Sequence, residues 1–440
     1  MSTTQVIMLG FAVVILFGSL LLSLPISSAG DDPVPYIDSL FTATTATCVT
    51  GLVTVPTFST WSTFGHIVIL CLIQVGGLGV ITIMSGFMLM FHKRMGIRDR
   101  MLIQDTFNLS TLSGLVRFVK KVFAGTFLVE GIGSLFYMIR FVPMFGMKGI
   151  WYSVFNSVSA FCNAGIDIIS GNSLCDFACD PIINIVTCLL IFLGGIGYIV
   201  WWDIIRITKE RKRLKFLTFH SKIALVSSLV MIFGGAVLFF VFEYNNPLTM
   251  ADASFGDRVQ MSIFQSVTTR TAGFASIPQQ NLTNASSILS LLLMFIGGSP
   301  VGTAGGIKTV TFVILIAAAM ATVKNRNEAA LFNRNIPKHA INKAISVVFM
   351  SFGIMFVSTL LLSIVTDSSA INILYETVSA TATVGLTRDL TPFLNIWGKI
   401  IIIITMFFGR VGPISFAVAL NVKKENKNKI KNPTEDICVG

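Results

Sequence analysis

Charged residues are scarce in this sequence. Only 12% of its 440 residues are Asp, Glu, Lys or Arg, whereas 53% are hydrophobic, and the mean hydropathy is +0.79. A water-soluble domain needs far more charge than this to cover its surface. The composition therefore excludes an ordinary soluble enzyme or binding module and indicates a protein that lies in a lipid bilayer.

Histidine and cysteine are also scarce and do not cluster. The four histidines, His66, His92, His220 and His339, fall at the ends of apolar stretches or in loops. A membrane enzyme needs a Ser/His or His/Asp/Glu cluster at membrane depth, and a proton relay needs a chain of carboxylates or histidines. We expect no enzyme, and Glu130 alone supports the alternative of a proton-coupled carrier only weakly. The seven cysteines form no disulfide scaffold, and whether Cys175 and Cys179 pair stays open.

Long apolar stretches are what the sequence does contain. Eight of them can cross a hydrocarbon core of about 30 Å, although three carry one interior charge each. They are 6–24, 67–91, 122–139, 182–202, 223–242, 288–323, 344–365 and 400–422. The first has no Lys or Arg ahead of it and no A-x-A site behind it, which favours a mature helix over a signal peptide.

Basic residues explain the net charge of +11 without any nucleic acid. Of the 32 Lys and Arg residues, 24 lie in the segments 92–121, 206–222, 324–343 and 423–431. Each segment follows an even-numbered span, so one topology places them all on the same side. The positive-inside rule makes that side the cytoplasm, with both termini there. The opposite loops are acidic; they could gather cations or could reflect topology alone.

A repeat with a period of about 110 residues runs along the chain. Four stretches too short to span a membrane follow the odd-numbered spans, at 36–52, 149–166, 260–274 and 371–386. Each passes through Ser, Thr and Ala at helical spacing and ends in one glycine followed by Leu, Ile or Phe. These glycines, Gly51, Gly165, Gly273 and Gly385, are 114, 108 and 112 residues apart.

The repeat predicts an all-α polytopic membrane protein built from four helix–pore-helix–helix units around a central pore. Eight spanning helices and four re-entrant pore helices are expected. The predicted units are repeat 1 (1–91), repeat 2 (122–205), repeat 3 (223–323) and repeat 4 (344–422), separated by basic cytoplasmic loops (92–121, 206–222 and 324–343) and followed by a cytoplasmic tail (423–440).

The glycines have a physical role in such a pore. Non-helical backbone is tolerated at membrane depth only where it is buried or lines water. Glycine visits positive φ freely, so main-chain carbonyls can point inward and replace the hydration shell of a cation. The C-terminal ends of the pore helices add partial negative charge. The alternative, that the glycines are simple helix C-caps, does not explain the repeated Thr, Ala and Val before them.

The segments ATCVTGL, FCNAGI, TTRTAGF and ATVGL resemble the four filter sequences of the Trk/Ktr/HKT superfamily of potassium transporters. The resemblance covers nearly the whole chain. The first helix leads straight into the first pore loop, as in the Ktr-type membrane subunit. The resemblance implies a selectivity filter that binds K⁺ and consists of Cys48, Val49, Thr50, Gly51, Cys162, Asn163, Ala164, Gly165, Arg270, Thr271, Ala272, Gly273, Ala382, Thr383, Val384 and Gly385.

The resemblance also implies potassium uptake across the plasma membrane. Glycine at all four positions resembles the pattern of members that prefer K⁺, whereas plant members that prefer Na⁺ carry Ser at the first. A Na⁺-permeable or Na⁺-coupled transporter of the same fold stays an alternative. The family further implies a homodimer and a cytoplasmic ring of nucleotide-binding, KtrA-like subunits. We expect no nucleotide on this chain itself, because GTAGGIKT (302–309) lacks the glycine that a phosphate-binding loop needs directly before its lysine.

Helix breakers interrupt the sixth span. A continuous helix would be destabilised by about 1 kcal/mol per Gly and about 3 kcal/mol for Pro; a kinked helix is the alternative to a break. The resemblance implies an intramembrane gating loop with the residues Gly297, Gly298, Ser299, Pro300, Gly302, Gly305 and Gly306, followed by Lys308.

Two arginines lie at membrane depth. Arg410 has long uncharged flanks, so we expect it to face the bundle interior rather than snorkel. The resemblance implies a position beneath the filter, where its charge raises the barrier to cations. Arg270 directly precedes Thr271, and we expect it to pair with a carboxylate behind the filter, with Glu376 as one candidate.

Overall fold

The computed structural model describes residues 3–30, 32–80, 82–85, 96, 114–326 and 328–412. Most of the basic segment 92–121, the ends of the second and eighth predicted spans and the tail 423–440 lie outside these residues. Within the described ranges the regular structure is helical apart from one two-stranded hairpin. The predicted all-α class is confirmed.

The helices recur as four groups. Each group contains a long first helix, a short helix and a second helix. The first two groups contain α1 (Thr3–Leu22), α2 (Tyr36–Cys48), α3 (Thr57–Thr60) and α4 (Thr63–Leu78), then α5 (Leu115–Phe145), α6 (Lys148–Cys162), α7 (Pro181–Ile196) and α8 (Tyr198–Lys209).

The last two groups are separated by the hairpin, whose strands are β1 (Ala330–Leu331) and β2 (Arg334–Asn335). The helices are α9 (Phe219–Glu243), α10 (Phe255–Thr268), α11 (Asn284–Phe295) and α12 (Thr309–Val323), then α13 (Lys338–Val365), α14 (Ala370–Ala382) and α15 (Ile396–Val411). Single 3₁₀ turns lie at Pro25–Ser27, Cys175–Phe177, Leu214–Phe216, Gln279–Asn281 and Thr391–Phe393.

The first helices α1, α5, α9 and α13 are long and apolar enough to cross a membrane. They carry large apolar side chains on their outer faces. On α9, Val230, Phe233 and Val237 are 65%, 60% and 62% exposed. Water would disfavour each such side chain by about 1.5–3 kcal/mol relative to burial, so these faces belong against lipid.

The second helices differ from the prediction. We expected 67–91, 182–202 and 400–422 to be continuous. In the structure α4, α7 and α15 are followed directly by Gly79, Gly197 and Gly412, whose φ angles are 85°, 93° and 93°. A right-handed helix cannot pass through such a residue, and α8 leaves α7 at 96°. By length, the described residues contain four membrane-crossing helices, or five with this bent pair.

The groups close into a ring. The short helices are α2, α6, α10 and α14, and the second helices are α4, α7, α11 and α15. The second helix of each group packs on the short helix of the next: α4 on α6, α7 on α10, and α11 on α14. The fourth second helix, α15, returns to the first short helix, α2. At this closing joint Lys399 Nζ and Asp38 Oδ1 form an ion pair of 2.5 Å. The four short helices therefore lie at the centre.

Glycines in the second helices permit this close packing. A Cβ on Gly76 would lie 2.0 Å from Thr47 O, and one on Gly194 would lie 1.9 Å from Phe161 O. Both carbonyls belong to the last turn of a short helix. Each glycine thus lets a second helix approach the C-terminal end of a short helix.

Candidate functional site

The four glycines of the repeat lie next to one another. A Cβ on any of them would lie 2.1 to 2.5 Å from the carbonyl oxygen of the residue that precedes the glycine of the following repeat. These contacts run from Gly51 to Ala164, from Gly165 to Ala272, from Gly273 to Val384 and from Gly385 back to Thr50. The cycle closes, and we call it the glycine ring.

The residue two positions before each glycine has left-handed backbone. The φ angles are 54° for Val49, 60° for Asn163, 67° for Thr271 and 51° for Thr383. This conformation is uncommon for residues with a Cβ. Val49, Asn163 and Thr383 are the C-caps of their short helices, whereas α10 already ends at Thr268, three residues before Thr271.

Main-chain hydrogen bonds fix this turn. The N–H groups of Thr50, Ala164 and Val384 each donate to the carbonyl five residues earlier, all at 2.8 Å, as in a Schellman motif. In the third repeat the turn is tighter, and Ala272 donates to Thr268 O at 3.0 Å. All four short helices end at the glycine ring, so their partial negative charges converge there.

Three hydroxyl groups accept hydrogen bonds from main-chain N–H groups at or next to the ring glycines. The sequence analysis did not predict this role for them. Thr45 Oγ1 accepts from Gly51 N, and Ser379 Oγ accepts from Gly385 N, both at 3.0 Å. Ser159 Oγ accepts from Ile166 N at 3.1 Å. The available signal was a Ser or Thr six residues before three of the glycines.

The cysteines that begin the first two motifs face other parts of the protein. Cys48 packs in an apolar cluster with Phe41 and Leu52, and Cys162 Sγ faces Glu130 at 3.8 Å. Within the described residues several buried polar side-chain atoms around the ring have no hydrogen-bond partner. They belong to Thr47, Thr50, Asn163, Thr271 and Thr383.

Arg270 corrects the prediction of a buried ion pair. Its guanidinium donates to Ser228 O at 3.3 Å, to Ser228 Oγ at 3.2 Å and to Gly297 O at 3.4 Å. No carboxylate in the described part of the chain forms a salt bridge with it. Glu376 instead accepts hydroxyl hydrogens from Thr387, at 2.7 Å, and from Thr391. The pair does not form because the Arg270 guanidinium faces oxygen acceptors of its own repeat, whereas the Glu376 carboxylate faces hydroxyl donors of the fourth repeat.

The break in the sixth span forms a loop at residues 296–308, which we call the intramembrane loop. It contains all the predicted gate glycines together with Ser299 and Pro300. Ser299 N donates to Gly195 O at 2.8 Å, and Val301 O accepts from Tyr198 N at 3.0 Å. The loop therefore crosses to the second helix of repeat 2. At its end Lys308 Nζ donates to Ala304 O at 2.6 Å.

The intramembrane loop also touches the fourth predicted filter motif. A Cβ on Gly305 would lie 1.9 Å from Thr383 Oγ1 and 2.7 Å from Ala382 O. Alanine at this position would not fit without moving the motif. The loop thus packs against Ala382 and Thr383, which directly precede the glycine ring.

Arg410 holds the intramembrane loop in place. Its Nη1 donates to Thr303 O at 2.6 Å, and its Nη2 donates to Gly76 O. The side chain therefore joins repeats 1, 3 and 4. Arg410, Lys308 and Lys343 line a cavity of about 470 Å³, and no Asp or Glu stands among its described lining residues. The ionisable residues of this described lining are therefore all basic, apart from Tyr198.

Asp167 is the acidic residue nearest the ring in sequence, two residues after Gly165 and outside the spanning helices. Its Oδ1 accepts from Ile169 N at 3.2 Å and from Ser170 N at 3.3 Å. Burial raises the pKa of the Asp167 carboxyl to about 6, and these hydrogen bonds offset only part of that rise. In the loop that follows, Cys175 and Cys179 are free thiols.

The fold and the glycine ring define a class of protein: a multi-pass membrane protein with four re-entrant segments around one axis. A family model described as "TrkH: Cation transport protein" matches residues 4–431. The chain belongs to this family, which confirms the resemblance found in the filter sequences. The family is one of membrane ion transporters.

Named relatives agree with this membership. The chain is 38% identical to the potassium/sodium uptake protein NtpJ of Enterococcus hirae, over 100% of this chain and 98% of the relative. It is 37% identical to the Ktr system potassium uptake protein B of Bacillus subtilis, over 99% and 96%. The crystal structure of the potassium transporter TrkH from Vibrio parahaemolyticus matches with a TM-score of 0.75 and 15% identity, covering 93% of this chain and 84% of that one. The chain therefore resembles a KtrB-type subunit and shares the TrkH fold.

Proposed function

We propose that this protein takes up K⁺ across the plasma membrane through a single-chain, channel-like pore. The observation that carries the proposal is the glycine ring, where main-chain carbonyls from four repeats meet at the C-terminal ends of four helices. Such carbonyls can replace the water around a cation. The names of the relatives, which include potassium uptake, support K⁺ as the ion.

The proposed selectivity filter consists of residues 48–51, 162–165, 270–273 and 382–385. Thr50 is the one hydroxyl residue directly before a ring glycine; the others are Ala164, Ala272 and Val384. We expect fewer coordination sites in series than in a symmetric tetrameric filter, and looser discrimination. A Na⁺-permeable or Na⁺-coupled mode is therefore the second candidate, and the potassium/sodium name of one relative favours it.

The intramembrane loop is the proposed gate. It lies against Ala382 and Thr383 at one end of the filter, and Arg410 tethers it. Loop backbone at membrane depth is tolerated where neighbouring protein satisfies it, and main-chain hydrogen bonds to Gly194, Gly195 and Tyr198 satisfy it here. The positive charge of Arg410 raises the barrier to a cation while the loop stays in this position.

Regulation and assembly are proposed by analogy with the family. The relative from Bacillus subtilis is named as part of a Ktr system, which supports further protein components. The cytoplasmic nucleotide-binding partner of the KtrA type and the homodimer rest on the family resemblance alone. The basic segments and both termini would face that partner on the cytoplasmic side. The chain itself would carry the transported ion and no nucleotide.

Flux through the purified protein tests the proposal. The full chain would be reconstituted into liposomes, and rubidium and sodium uptake would be followed with and without a proton gradient. We expect rubidium uptake that exceeds sodium uptake and does not need the proton gradient. Equal sodium uptake would favour the Na⁺-permeable alternative, and a requirement for the proton gradient would favour a carrier.

External pH should change the uptake rate through Asp167. Its raised pKa of about 6 means that the carboxylate is charged at about pH 7.5 and mostly neutral at about pH 5. Acidification therefore removes a negative charge beside the pore mouth. We expect K⁺ uptake to fall about twofold to fivefold across this range, as the loss of up to about 1 kcal/mol of attraction implies.

The variant Asp167→Asn should take up K⁺ at the lower rate at both pH values. Asp252→Asn, which changes an exposed carboxylate of another predicted outer loop, should keep the wild-type pH profile. A pH profile that Asp167→Asn leaves unchanged would contradict this role.

A further inference from the structure

Glu130 is a buried carboxylate that neither the proposed filter nor the proposed gate explains. It lies within α5 with 5% of its surface exposed. No Lys, Arg or His in the described ranges forms a salt bridge with it. A carboxylate at membrane depth is costly and commonly serves function. Its surroundings therefore indicate what it does.

The carboxylate of Glu130 faces the second filter motif. Cys162 Sγ lies 3.8 Å from Glu130 Oε1 and 3.8 Å from Gln74 Oε1, in position to donate its one hydrogen to either oxygen. Gln74 Nε2 donates to Glu130 Oε2 at 3.2 Å. The cluster is tightly enclosed, because a Cβ on Gly77 would lie 2.5 Å from Cys162 Sγ. Glu130 and Gln74 thus fix the side chain of the first residue in this motif.

The same turn of α4 reaches the gate arginine. Gln74 stands two residues before Gly76, whose carbonyl accepts from Arg410 Nη2. A Cβ on Gly76 would also lie 2.0 Å from Thr47 O, directly before the first filter motif. A shift of Gln74 would therefore move groups that contact two filter motifs and Arg410.

The preceding turn of α5 reaches the intramembrane loop. Thr126 lies four residues before Glu130, on the same face of the helix. Its hydroxyl is 3.2 Å from Tyr198 Oη, and Tyr198 N donates to Val301 O in the loop. One face of α5 thus joins the filter to the gate.

We propose that Glu130 is a positioning residue that sets ion selectivity by holding Cys162, and with it the second filter motif, through Gln74 and the end of α4. This proposal rests on the proposed function. Hydrogen bonds to an ionic or strongly polar acceptor restrict a side chain more than neutral ones do. Loss of that restraint lets the carbonyls of the second motif relax, which weakens discrimination between ions of different radius.

The test compares permeability ratios of the full-length protein in liposomes. Glu130→Gln is nearly isosteric, and Cys162→Ala removes the group on which Glu130 acts. Each should lower the K⁺/Na⁺ permeability ratio about threefold to tenfold, the range expected for directly coupled residues. The double variant should be no worse than either single one. Gly131→Ala, beside Glu130 with open space around its new methyl group, should keep the wild-type ratio.

The outcomes separate this proposal from the proposed function. The positioning role is wrong if wild type and Gly131→Ala conduct K⁺ and Glu130→Gln has the same K⁺/Na⁺ permeability ratio as they do. It is also wrong if the effects of the two single changes multiply in the double variant. If wild type conducts no K⁺, the proposed function fails. Should Glu130→Gln not fold, Gln74→Met conserves volume and must lower the ratio in the same direction; an unchanged ratio overturns the proposal.

Discussion

Replacement of Arg410 by alanine is expected to raise the passive K⁺ leak through the protein about tenfold or more. The change removes hydrogen bonds to Thr303 O and Gly76 O, which hold the intramembrane loop. A hydrogen bond from a charged group contributes about 1.5–3 kcal/mol, and each 1.36 kcal/mol lost from a barrier is about tenfold in rate. It also removes a positive charge from the cavity that Arg410 lines beside the intramembrane loop.

Two further variants separate the tether from the charge. Arg410→Lys keeps the charge but cannot donate to Thr303 O and Gly76 O in the fork geometry of a guanidinium. Arg410→Gln keeps a hydrogen-bond donor without the charge. If the tether dominates, both variants leak; if the charge dominates, Arg410→Lys stays near wild type. Rubidium efflux from liposomes measures the leak, with Arg334→Ala on the exposed hairpin as the control. An Arg410→Ala protein with equal or lower efflux would refute the barrier role.

The sequence carried enough information to predict the centre of the molecule. Gly51, Gly165, Gly273 and Gly385 repeat at nearly constant spacing between apolar spans, and the structure brings them together. The break after Phe295 was also predictable, because six glycine and proline residues within ten positions cannot belong to a stable helix. Both features depend on local backbone chemistry, which a single sequence records directly.

Hydropathy did not reveal the breaks in the other second helices. Gly79, Gly197 and Gly412 lie in apolar surroundings, where one glycine costs a helix only about 1 kcal/mol. At Gly197 a neighbouring repeat needs the space, because a Cβ there would lie 2.3 Å from Pro300 O in the intramembrane loop. Such a reason depends on contacts between distant parts of the chain.

The partners of buried charges were unpredictable for the same cause. Asp38 belongs to the acidic side of the predicted topology, which indicates at most a role in gathering cations, yet it pairs with Lys399, 361 residues away. Arg270 was expected to need a carboxylate, yet carbonyl and hydroxyl oxygens surround it. Composition sets which charges must be buried, but the packing order of the four repeats decides what each one meets.

Alanine at Gly385 is expected to abolish selective K⁺ uptake. This glycine has φ 98°, where an L-residue is strained by about 1–2 kcal/mol. Its new methyl carbon would lie 2.1 Å from Thr50 O and 2.8 Å from Gly51 Cα. The carbonyl of Thr50 must therefore move, and with it the one position that has a hydroxyl residue directly before a ring glycine. We expect K⁺ uptake to fall at least about tenfold, since a lost carbonyl contact raises the barrier by more than about 1.4 kcal/mol.

The variant Gly51→Ser tests the same ring at the neighbouring glycine. Its Cβ would lie 2.5 Å from Ala164 O, a smaller overlap than at Gly385, so some flux should remain and its selectivity can be measured. We expect the K⁺/Na⁺ permeability ratio to fall toward 1, because displaced carbonyls no longer match the size of K⁺.

Gly234→Ala is the matched control for both ring variants, since it adds a methyl group to α9 with nothing within 4 Å. It should keep wild-type uptake and selectivity, which separates damage to the ring from a general loss of helix flexibility. If Gly51→Ser keeps the wild-type permeability ratio at normal protein stability, main-chain carbonyls at the glycine ring do not select the ion. Selectivity would then have to come from the intramembrane loop or from the side chains of Asn163 and Thr383, which lie beside the glycine ring.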